Sequence, residues 1–401
     1  MKILILTNQV PFPPVSGYPI VVYNTIKGLL ARGADVTVFS LKNARTQVDA
    51  QDPILSKIQF VTATINPDLN WFRLMMNFFG RKSIDLARFY QSAPASKFRN
   101  FLKHNEFDVI QIEGLFVMPY LSIIKQISKA KVVYRAHNLE HQVTEGMANA
   151  TRSPFMRIYF RKLAQRLNRF ELENLNKPDA VITISKADES QLRNLGCTVL
   201  MQNFPASIDL SEYIADDTRC EFPSIFHIGS LASASNVENL EWFIRNVWSD
   251  LKNLNSGLRF HIASRDIPDS FYQYENEDVI LYKDVGDAHQ FINSKSIMIV
   301  PLRTSSGLRI RIIEGMALKK CIISTSLGAE GIDYQHGKNI LIADTPNEFY
   351  KYILQCITDR KFAEKIGENA RRLIEKQHNL ESGGALLMDF YASLSAKSEV
   401  N

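Results

Sequence analysis

Short apolar segments alternate with longer amphipathic segments along most of this chain of 401 residues. The apolar segment 3–6 comes first, a segment with helical periodicity follows at about 18–32, and Gly33 separates it from a second apolar run at 36–39. This alternation is typical of parallel sheets, because a strand that runs parallel to the previous one needs a crossover connection, usually a helix. We therefore expect an α/β protein whose parallel sheets are covered by helices on both faces.

The segment 203–223 interrupts this alternation. It is rich in prolines and aspartates that suit a linker: Pro205, Asp209, Asp216, Asp217 and Pro223. A chain of this length also exceeds the size at which one hydrophobic core usually serves the whole protein. We therefore predict two domains, residues 1–205 and residues 206–379, with the linker between them in this segment.

The composition excludes several classes of protein. Apolar residues make up 45% of the chain and charged residues 22%, as in ordinary soluble domains. No apolar run approaches the ~20 residues that a membrane-spanning helix needs, and the first residues turn polar too early for a signal peptide. The four cysteines form no C-x-x-C pair, so we expect reduced thiols in a cytoplasmic protein.

Positive charge is concentrated in the first half of the chain. Residues 1–205 contain 26 Lys and Arg against 15 Asp and Glu, whereas the remainder contains 21 against 27. No nucleic-acid recognition motif accompanies this charge, so we expect no nucleic-acid partner. The charge fits either an anionic membrane surface or a lipid-phosphate acceptor. Peripheral contact of the protein with the inner face of a membrane therefore stays open as an interpretation.

Two segments of the first half are candidates for such a contact. The segment 70–82 is rich in large apolar residues, and the predicted helix 151–177 carries many basic residues beside a stripe of apolar residues at helical spacing. Burial of the apolar residues in the core, with a solvated cationic face, is the ordinary interpretation of both patterns. The sequence leaves membrane contact as the alternative.

The stretch 305–331 carries the clearest signal for a ligand. A run of small residues at 305–307 follows the apolar segment 297–300 and opens a helix with Arg309, Arg311 and Glu314. Open parallel sheets bind ligands at the carboxyl ends of their strands, and a helix N-terminus attracts anions. Because arginines suit phosphate oxygens and a carboxylate suits a sugar diol, these parts predict a pocket for a nucleotide diphosphate with its ribose.

The same stretch resembles the donor-site motif of retaining GT-B glycosyltransferases of the GT4-like family, the glycosyl transferases of group 1. The sequences EGMA at 314–317 and IIST at 322–325 match the second half of that motif. Ser306 stands where the family has its first glutamate. A variant of the family motif has a cation three residues before the second glutamate, and Arg311 takes that position before Glu314. The resemblance implies two Rossmann-like parallel-sheet domains that face each other across a cleft. It also implies a C-terminal helix, at about 380–396, that packs back on the first domain.

The resemblance further implies roles for individual residues. Glu314 takes the place of the glutamate that holds the ribose hydroxyls, and His137, after a strand of the first domain, takes the place of a histidine that faces the donor sugar. Arg309 and Arg311 are expected to stabilise the leaving diphosphate. The other implied donor-binding positions are Gly17 in the first loop, Gly229 and Arg265 after strands of the second domain, Val285 near the base, and Ser306, Gly307 and Leu308 in the turn.

A member of this family would be a retaining glycosyltransferase. It would move a hexose-type sugar from a nucleotide-diphosphate donor to a hydroxyl of a glycan or lipid-linked acceptor, in cell-surface polysaccharide or glycolipid synthesis, with no metal or other cofactor. Two alternatives stay open. A nucleotide-sugar epimerase of the same fold would use His137, Glu113 and Glu140 as acids and bases, whereas a non-catalytic sugar-nucleotide or glycan-binding protein would fit the serine at 306.

Overall fold

A computed structural model describes residues 1–14, 16–66, 84–151, 153–254, 257–304 and 310–396. The chain divides into two compact units: the first contains Met1–Ile208 and the residues from Leu380 onwards, and the second contains Asp209–Asn379. The division between Ile208 and Asp209 lies within the segment 203–223. The apolar segment 70–82 and the turn 305–309 lie outside the described residues.

A sheet of seven parallel strands forms the centre of the first unit. The strands are β1 (Lys2–Thr7), β2 (Asp35–Lys42), β3 (Gln59–Thr64), β4 (Val109–Glu113), β5 (Lys131–Ala136), β6 (Ala180–Thr183) and β7 (Leu200–Asn203), in the spatial order β3-β2-β1-β4-β5-β6-β7. The direction of strand addition reverses between β1 and β4, where Thr7 pairs with Glu113. Sheets of this kind bind ligands beside such a reversal, at the carboxyl ends of the strands.

Helices cover both faces of this sheet. They are α1 (Gly17–Ala31), α2 (Ile84–Phe89), α3 (Ser92–Lys103), α4 (Leu121–Ile127), α5 (Glu140–Ala150), α6 (Pro154–Asn174) and α7 (Lys186–Asn194), with 3-10 turns at Leu55–Lys57 and Leu115–Tyr120. The cationic helix predicted at 151–177 begins at Pro154, because the side chain of Ser153 accepts a hydrogen bond from the Met156 amide.

The second unit repeats the same plan with six parallel strands. They are β8 (Glu221–Ile228), β9 (Arg259–Ser264), β10 (Val279–Lys283), β11 (Lys295–Val300), β12 (Cys321–Ser324) and β13 (Leu341–Ile342), in the order β10-β9-β8-β11-β12-β13. Here the reversal falls between β8 and β11, where Met298 pairs with Phe226. The predicted α/β fold with parallel sheets is confirmed in both units.

The helices of the second unit are α8 (Ala234–Phe243), α9 (Ser249–Leu251), α10 (Ala288–Asn293), α11 (Ile310–Ala317), α12 (Pro346–Thr358) and α13 (Arg360–Gln377). A π turn at Ile244–Trp248 joins α8 to α9, and 3-10 turns occur at Leu210–Glu212, Lys252–Leu254 and Asp269–Tyr274. Thr345 and Glu348 form a capping box at the start of α12. This local signal fixes the residue at which α12 begins.

The last helix, α14 (Leu380–Ala396), belongs to the first unit and packs against α1. Two glycines allow this close approach, since a Cβ on Gly28 would lie 3.3 Å from the Cα of Gly384. Tyr391 and three apolar neighbours of α14 join the core on the α1 face of the sheet. The helix therefore brings a tyrosine from near the end of the chain into the interior beside β4.

Candidate active site

A buried, hydrogen-bonded pair of side chains lies at the carboxyl ends of the central strands of the first unit. Glu113 is the last residue of β4, and His137 directly follows β5. Nε2 of His137 donates a hydrogen bond of 2.5 Å to Oε2 of Glu113. Glu113 is fully buried and His137 is 6% exposed. Gly114, at a φ of +81°, turns the chain away directly after the carboxylate, a conformation that favours glycine.

Burial and the charge of Arg135 on β5 both affect the charge state of this pair. Nη1 of Arg135 lies 4.0 Å from Oε1 of Glu113. Burial acts to raise the pKa of Glu113, but the charge of Arg135 and the hydrogen bond from His137 outweigh it, so this pKa lies below its ordinary value. Burial, opposed in part by Glu113, lowers the pKa of His137. At neutral pH the pair is therefore a carboxylate and a neutral imidazole.

The start of α1 completes this edge of the first unit. The ring of Tyr18 packs on the ring of His137, with centroids 4.5 Å apart. The Tyr18 hydroxyl donates to the carbonyl oxygen of Glu113 at 2.9 Å and lies 2.8 Å from Oγ1 of Thr7. Gly17, expected in the preceding loop, is the first residue of α1. The structure thus places Gly17 and His137 at one sheet edge, with a tyrosine between them that the sequence did not single out.

In the second unit, Glu314 lies on α11 and is 4% exposed. Its Oε2 accepts a hydrogen bond of 2.7 Å from Nη1 of Arg311, and its Oε1 accepts one of 3.2 Å from the hydroxyl of Tyr213. Both contacts fix the orientation of the carboxylate. Because each carboxylate oxygen can accept more than one hydrogen bond, Glu314 keeps acceptor capacity for a ligand. Arg311 pairs with Glu314, and its side chain is still 37% exposed.

A tight turn follows β12. The amide of Gly328 donates to Oγ1 of Thr325 at 2.9 Å, and the same hydroxyl donates to the carbonyl oxygen of Leu302. A Cβ on residue 328 would lie 3.1 Å from the carbonyl oxygen of Val300, so only glycine fits there. The turn therefore ties the end of β12 to the segment that leaves β11, directly before the predicted phosphate turn.

Three further predicted positions follow neighbouring strands at the same edge of the second sheet. Gly229 follows β8 and donates its amide hydrogen to the carbonyl oxygen of Ala263 at 3.1 Å. Arg265 follows β9 and is exposed, and Val285 follows β10 and is half-buried. Ser306, Gly307, Leu308 and Arg309 lie outside the described residues.

Sequence reasoning missed Asn239 of α8, which is buried beneath the segment that leaves β11. Its Oδ1 accepts a hydrogen bond of 3.0 Å from the Arg303 amide, and its Nδ2 lies 3.3 Å from Oγ1 of Thr304. The guanidinium of Arg303 stacks on Trp242 at 4.7 Å. These contacts hold the residues just before the predicted phosphate turn. Because half of the residues of α8 are polar, the sequence carried no signal that Asn239 would be buried.

The described residues contain neither a metal-binding cluster nor a membrane-spanning helix. They contain no group of three or more His, Cys, Asp or Glu side chains that could hold a metal ion. Over the same residues, no helix has the length and apolar content required to cross a bilayer.

Comparison with known proteins supplies the family. Residues 222–359 match the model described as glycosyl transferases group 1, and residues 15–203 match the model of glycosyltransferase family 4. The chain belongs to the group 1 glycosyltransferases. An uncharacterized 44.6 kDa protein in the cps region of Klebsiella pneumoniae is 21% identical to this glycosyltransferase over 394 residues, which cover 94% of this chain and 96% of that protein.

Solved structures resemble this glycosyltransferase over nearly its whole length. Sucrose-phosphate synthase from Thermosynechococcus elongatus has a TM-score of 0.75 at 16% identity, and the match covers 99% of this chain and 100% of that chain. Anabaena HepE, solved in complex with UDP-glucose, has a TM-score of 0.66 at 15% identity, with coverages of 98% and 100%. At these identities the likeness shows the fold alone, and it confirms the predicted GT-B class.

Proposed function

We propose that this glycosyltransferase moves a hexose-type sugar from a nucleotide-diphosphate donor to a hydroxyl of a glycan or lipid-linked acceptor, with retention at the anomeric carbon. The observation that carries the proposal is the buried carboxylate of Glu314, which Arg311 and Tyr213 orient at the sheet edge. This is the residue that the family motif assigns to the ribose. The complex of HepE with UDP-glucose supports a nucleotide-sugar donor.

The reaction needs one bond made, one bond broken and one proton moved. The acceptor oxygen forms a bond to the anomeric carbon, while the bond from that carbon to the donor diphosphate breaks. The acceptor proton passes to the departing phosphate oxygen on the same face, which keeps the anomeric configuration. Arg311, Arg309 and the N-terminus of α11 would stabilise the charge that develops on the diphosphate. Because these groups bring positive charge to the diphosphate, we propose that no metal is needed.

His137 is the proposed catalytic residue of the first unit. Its neutral ring can hydrogen-bond a sugar hydroxyl without introducing a second positive charge next to Arg135. Gly17 stands at the start of α1, where the first amides of a helix have no partner within the helix and suit an anionic or polar ligand. In the second unit, Gly229, Arg265 and Val285 would contact the donor at the ends of three strands.

The cellular setting is also a proposal. The relative from the cps region supports a place in cell-surface polysaccharide synthesis. Helix α6 presents Phe155 and Ile158, 61% and 52% exposed, beside Arg157 and Arg161. Exposed apolar and cationic side chains on one helix suit an anionic membrane surface, so we propose peripheral attachment at the cytoplasmic side.

The geometry bears on the two alternatives. An epimerase needs freely titrating acids and bases around the sugar. Glu113 is fully buried, and its oxygens accept hydrogen bonds from His137 and Gln111, so it is poorly placed to exchange protons with a substrate. A non-catalytic binding protein would not need a buried neutral histidine whose ring a carboxylate orients. We therefore favour transfer to an acceptor.

The test is a transfer assay on the purified protein. Sugar conjugates of UDP, GDP and ADP are supplied with soluble glycans or lipid-linked acceptors, in EDTA and in Mg²⁺. The proposal predicts a glycosylated product only when an acceptor is present, at equal rates in EDTA and Mg²⁺, with the donor's anomeric configuration by NMR. Donor isomerisation without acceptor would identify an epimerase. Nucleotide binding without turnover of any combination would favour the non-catalytic alternative.

A further inference from the structure

A continuous chain of hydrogen bonds crosses the interior of the first unit, from the C-terminal helix to His137. The hydroxyl of Tyr391 on α14 donates to Oε1 of Gln111, and Nε2 of Gln111 donates to Oε1 of Glu113. The other oxygen of Glu113 accepts the hydrogen bond from Nε2 of His137. Tyr391, Gln111 and Glu113 are all fully buried. His137 is thus linked to Tyr391, which lies 280 positions beyond Gln111 in the sequence.

Charge fixes the direction of every bond in this chain. An ionised carboxylate can only accept hydrogen bonds, so the amide nitrogen of Gln111 must face Glu113. The amide oxygen of Gln111 then faces Tyr391, and the tyrosine must donate. For the same reason, Nε2 of His137 must carry the ring hydrogen. Since burial lowers the pKa of His137, the ring is neutral and its Nδ1 carries a lone pair.

The surroundings show that this chain is not needed to fill the core. Gln111 pairs with Ile5 of β1 on one side and with Val133 of β5 on the other, and both neighbours belong to an apolar cluster. An apolar side chain at position 111 would pack there without the free-energy cost of removing a polar amide from water. A role in fixing the orientation of a functional group would explain why polar groups are buried in this apolar surrounding.

Further contacts hold the far end of the chain in place. Nη1 of Arg135 donates to Oγ1 of Thr25 at 2.5 Å, which keeps the guanidinium on the Glu113 side of the sheet. Tyr18 covers one side of the His137 ring. Nδ1 of His137 has no hydrogen-bond partner among the residues that the structure describes, and it is not among the enclosed side-chain atoms that lack one. This nitrogen is therefore the acceptor that the site offers to a ligand.

We propose that Glu113, Gln111 and Tyr391 are positioning residues that hold His137 as the neutral Nε2–H tautomer, so that Nδ1 accepts a hydrogen bond from a substrate hydroxyl. The tautomer itself follows from this structure alone. That the hydroxyl belongs to a sugar rests on the proposed function. The C-terminal helix then serves the site directly, because it supplies the hydroxyl that orients the amide of Gln111.

The first test is the tautomer, read by NMR of the full-length protein labelled with ¹⁵N-histidine, without substrate. The protonated and unprotonated ring nitrogens of a neutral histidine have well-separated ¹⁵N shifts, and loss of a signal in His137→Gln assigns the ring. The wild type should show the Nε2–H tautomer at pH 7.5. In Glu113→Gln an amide can either accept or donate, so the Nδ1–H tautomer should appear. A wild-type ring protonated on Nδ1, or on both nitrogens, would overturn the proposal.

The second test is kinetic. Glu113→Gln should lower kcat about 10²-fold, and Tyr391→Phe about 10-fold, with little change in KM for the donor. Tyr120→Phe is the matched control, because this buried tyrosine of the same unit donates to the carbonyl oxygen of Phe89, away from Glu113. It should leave kcat and the His137 spectrum unchanged. Equal effects of Tyr391→Phe and Tyr120→Phe would reduce Tyr391 to a structural role and overturn its assignment.

The two tests separate this proposal from the proposed function. If no donor and acceptor pair gives transfer but the predicted tautomer and its change in Glu113→Gln are observed, the function is wrong and the positioning of His137 stands. If transfer is observed but Glu113→Gln leaves both tautomer and kcat unchanged, the function stands and the positioning proposal is wrong.

Discussion

The two units use the same edge of the same kind of sheet in different ways. In the first, Glu113, Arg135 and His137 are buried, and their charges are balanced within the protein. In the second, Arg265 is exposed and Arg311 is partly exposed at the end of a helix. A closed hydrogen-bond network can fix the orientation of one ring, whereas open cations suit the capture of an anion. This contrast is the one expected if, as we propose, the first unit serves turnover and the second serves nucleotide binding.

The largest expected effect separates these two roles. His137→Ala removes the proposed catalytic ring, so we expect kcat to fall by roughly 10²- to 10³-fold while the affinity for nucleotide diphosphate stays within about twofold. Steady-state kinetics and isothermal titration calorimetry measure the two quantities. A loss of nucleotide affinity as large as the loss of turnover would remove the contrast between the units.

The second prediction concerns Glu314 and should show the opposite pattern. Glu314→Gln weakens acceptance from the ribose diol, so we expect the Kd of the preferred nucleoside diphosphate to rise about 10- to 30-fold. The matched ligand is its 2′-deoxy analogue, whose Kd should rise much less. Tyr213→Phe is the control variant, because it removes only one support of the carboxylate. Equal losses for both ligands would show that Glu314 does not hold the ribose.

The third prediction compares the surfaces of the two units. Ile158→Glu on α6 puts a negative charge into the proposed membrane face, so binding to vesicles that contain anionic phospholipid should fall roughly 10-fold. Ile214→Glu is the control, because Ile214 is 74% exposed and belongs to the second unit. Vesicle flotation measures both variants. Attachment through α6 is contradicted if the wild-type protein does not float with the vesicles, or if both variants lose vesicle binding equally.

The smallest effect is a pH dependence of stability. The pKa of His137 lies below its ordinary 6.5, so below that pH the unfolded chain takes up a proton that the native site resists, and stability falls. Glu113, with a pKa below its ordinary 4.5, adds a loss only at still lower pH. His137→Gln should reduce the drop in unfolding free energy between pH 7.5 and 5.5 by about 1 kcal/mol.

Equilibrium urea unfolding at the two pH values measures this drop. His104→Gln, at an exposed histidine of the same unit, is the control variant. The second unit contributes a pH dependence of its own, because burial lowers the pKa of His227 and brings that of His261 to about 4. An unchanged drop in His137→Gln would mean that His137 is not held neutral.

The sequence predicted the features that repeat locally. The apolar runs and the small-residue turns depend on neighbouring residues, and they placed His137 after a strand and Glu314 on a helix, where the described structure has them. The polar residues in the buried strands β4 and β5, Gln111 and Arg135, were a readable signal that we did not use. A charged or amide side chain inside a buried parallel strand needs a partner.

Other parts of the site could not be read from the sequence. Tyr391 reaches Gln111 only because α14 packs on α1 through Gly28 and Gly384, a contact between distant segments that local patterns do not encode. Likewise, Tyr213 reaches Glu314 from a segment with little regular structure. Both tyrosines are buried side chains that use the hydroxyl to orient a functional group.

The most direct test of the central claim is a thermal-shift titration with UDP, GDP and ADP, in EDTA, on the wild type, Glu314→Gln and His137→Ala. A ligand that binds only the folded protein raises Tm by mass action. We predict that one diphosphate raises Tm of the wild type and of His137→Ala alike, and raises that of Glu314→Gln much less. If no diphosphate raises Tm of the wild type, the fold and family stand, but the proposed donor site does not.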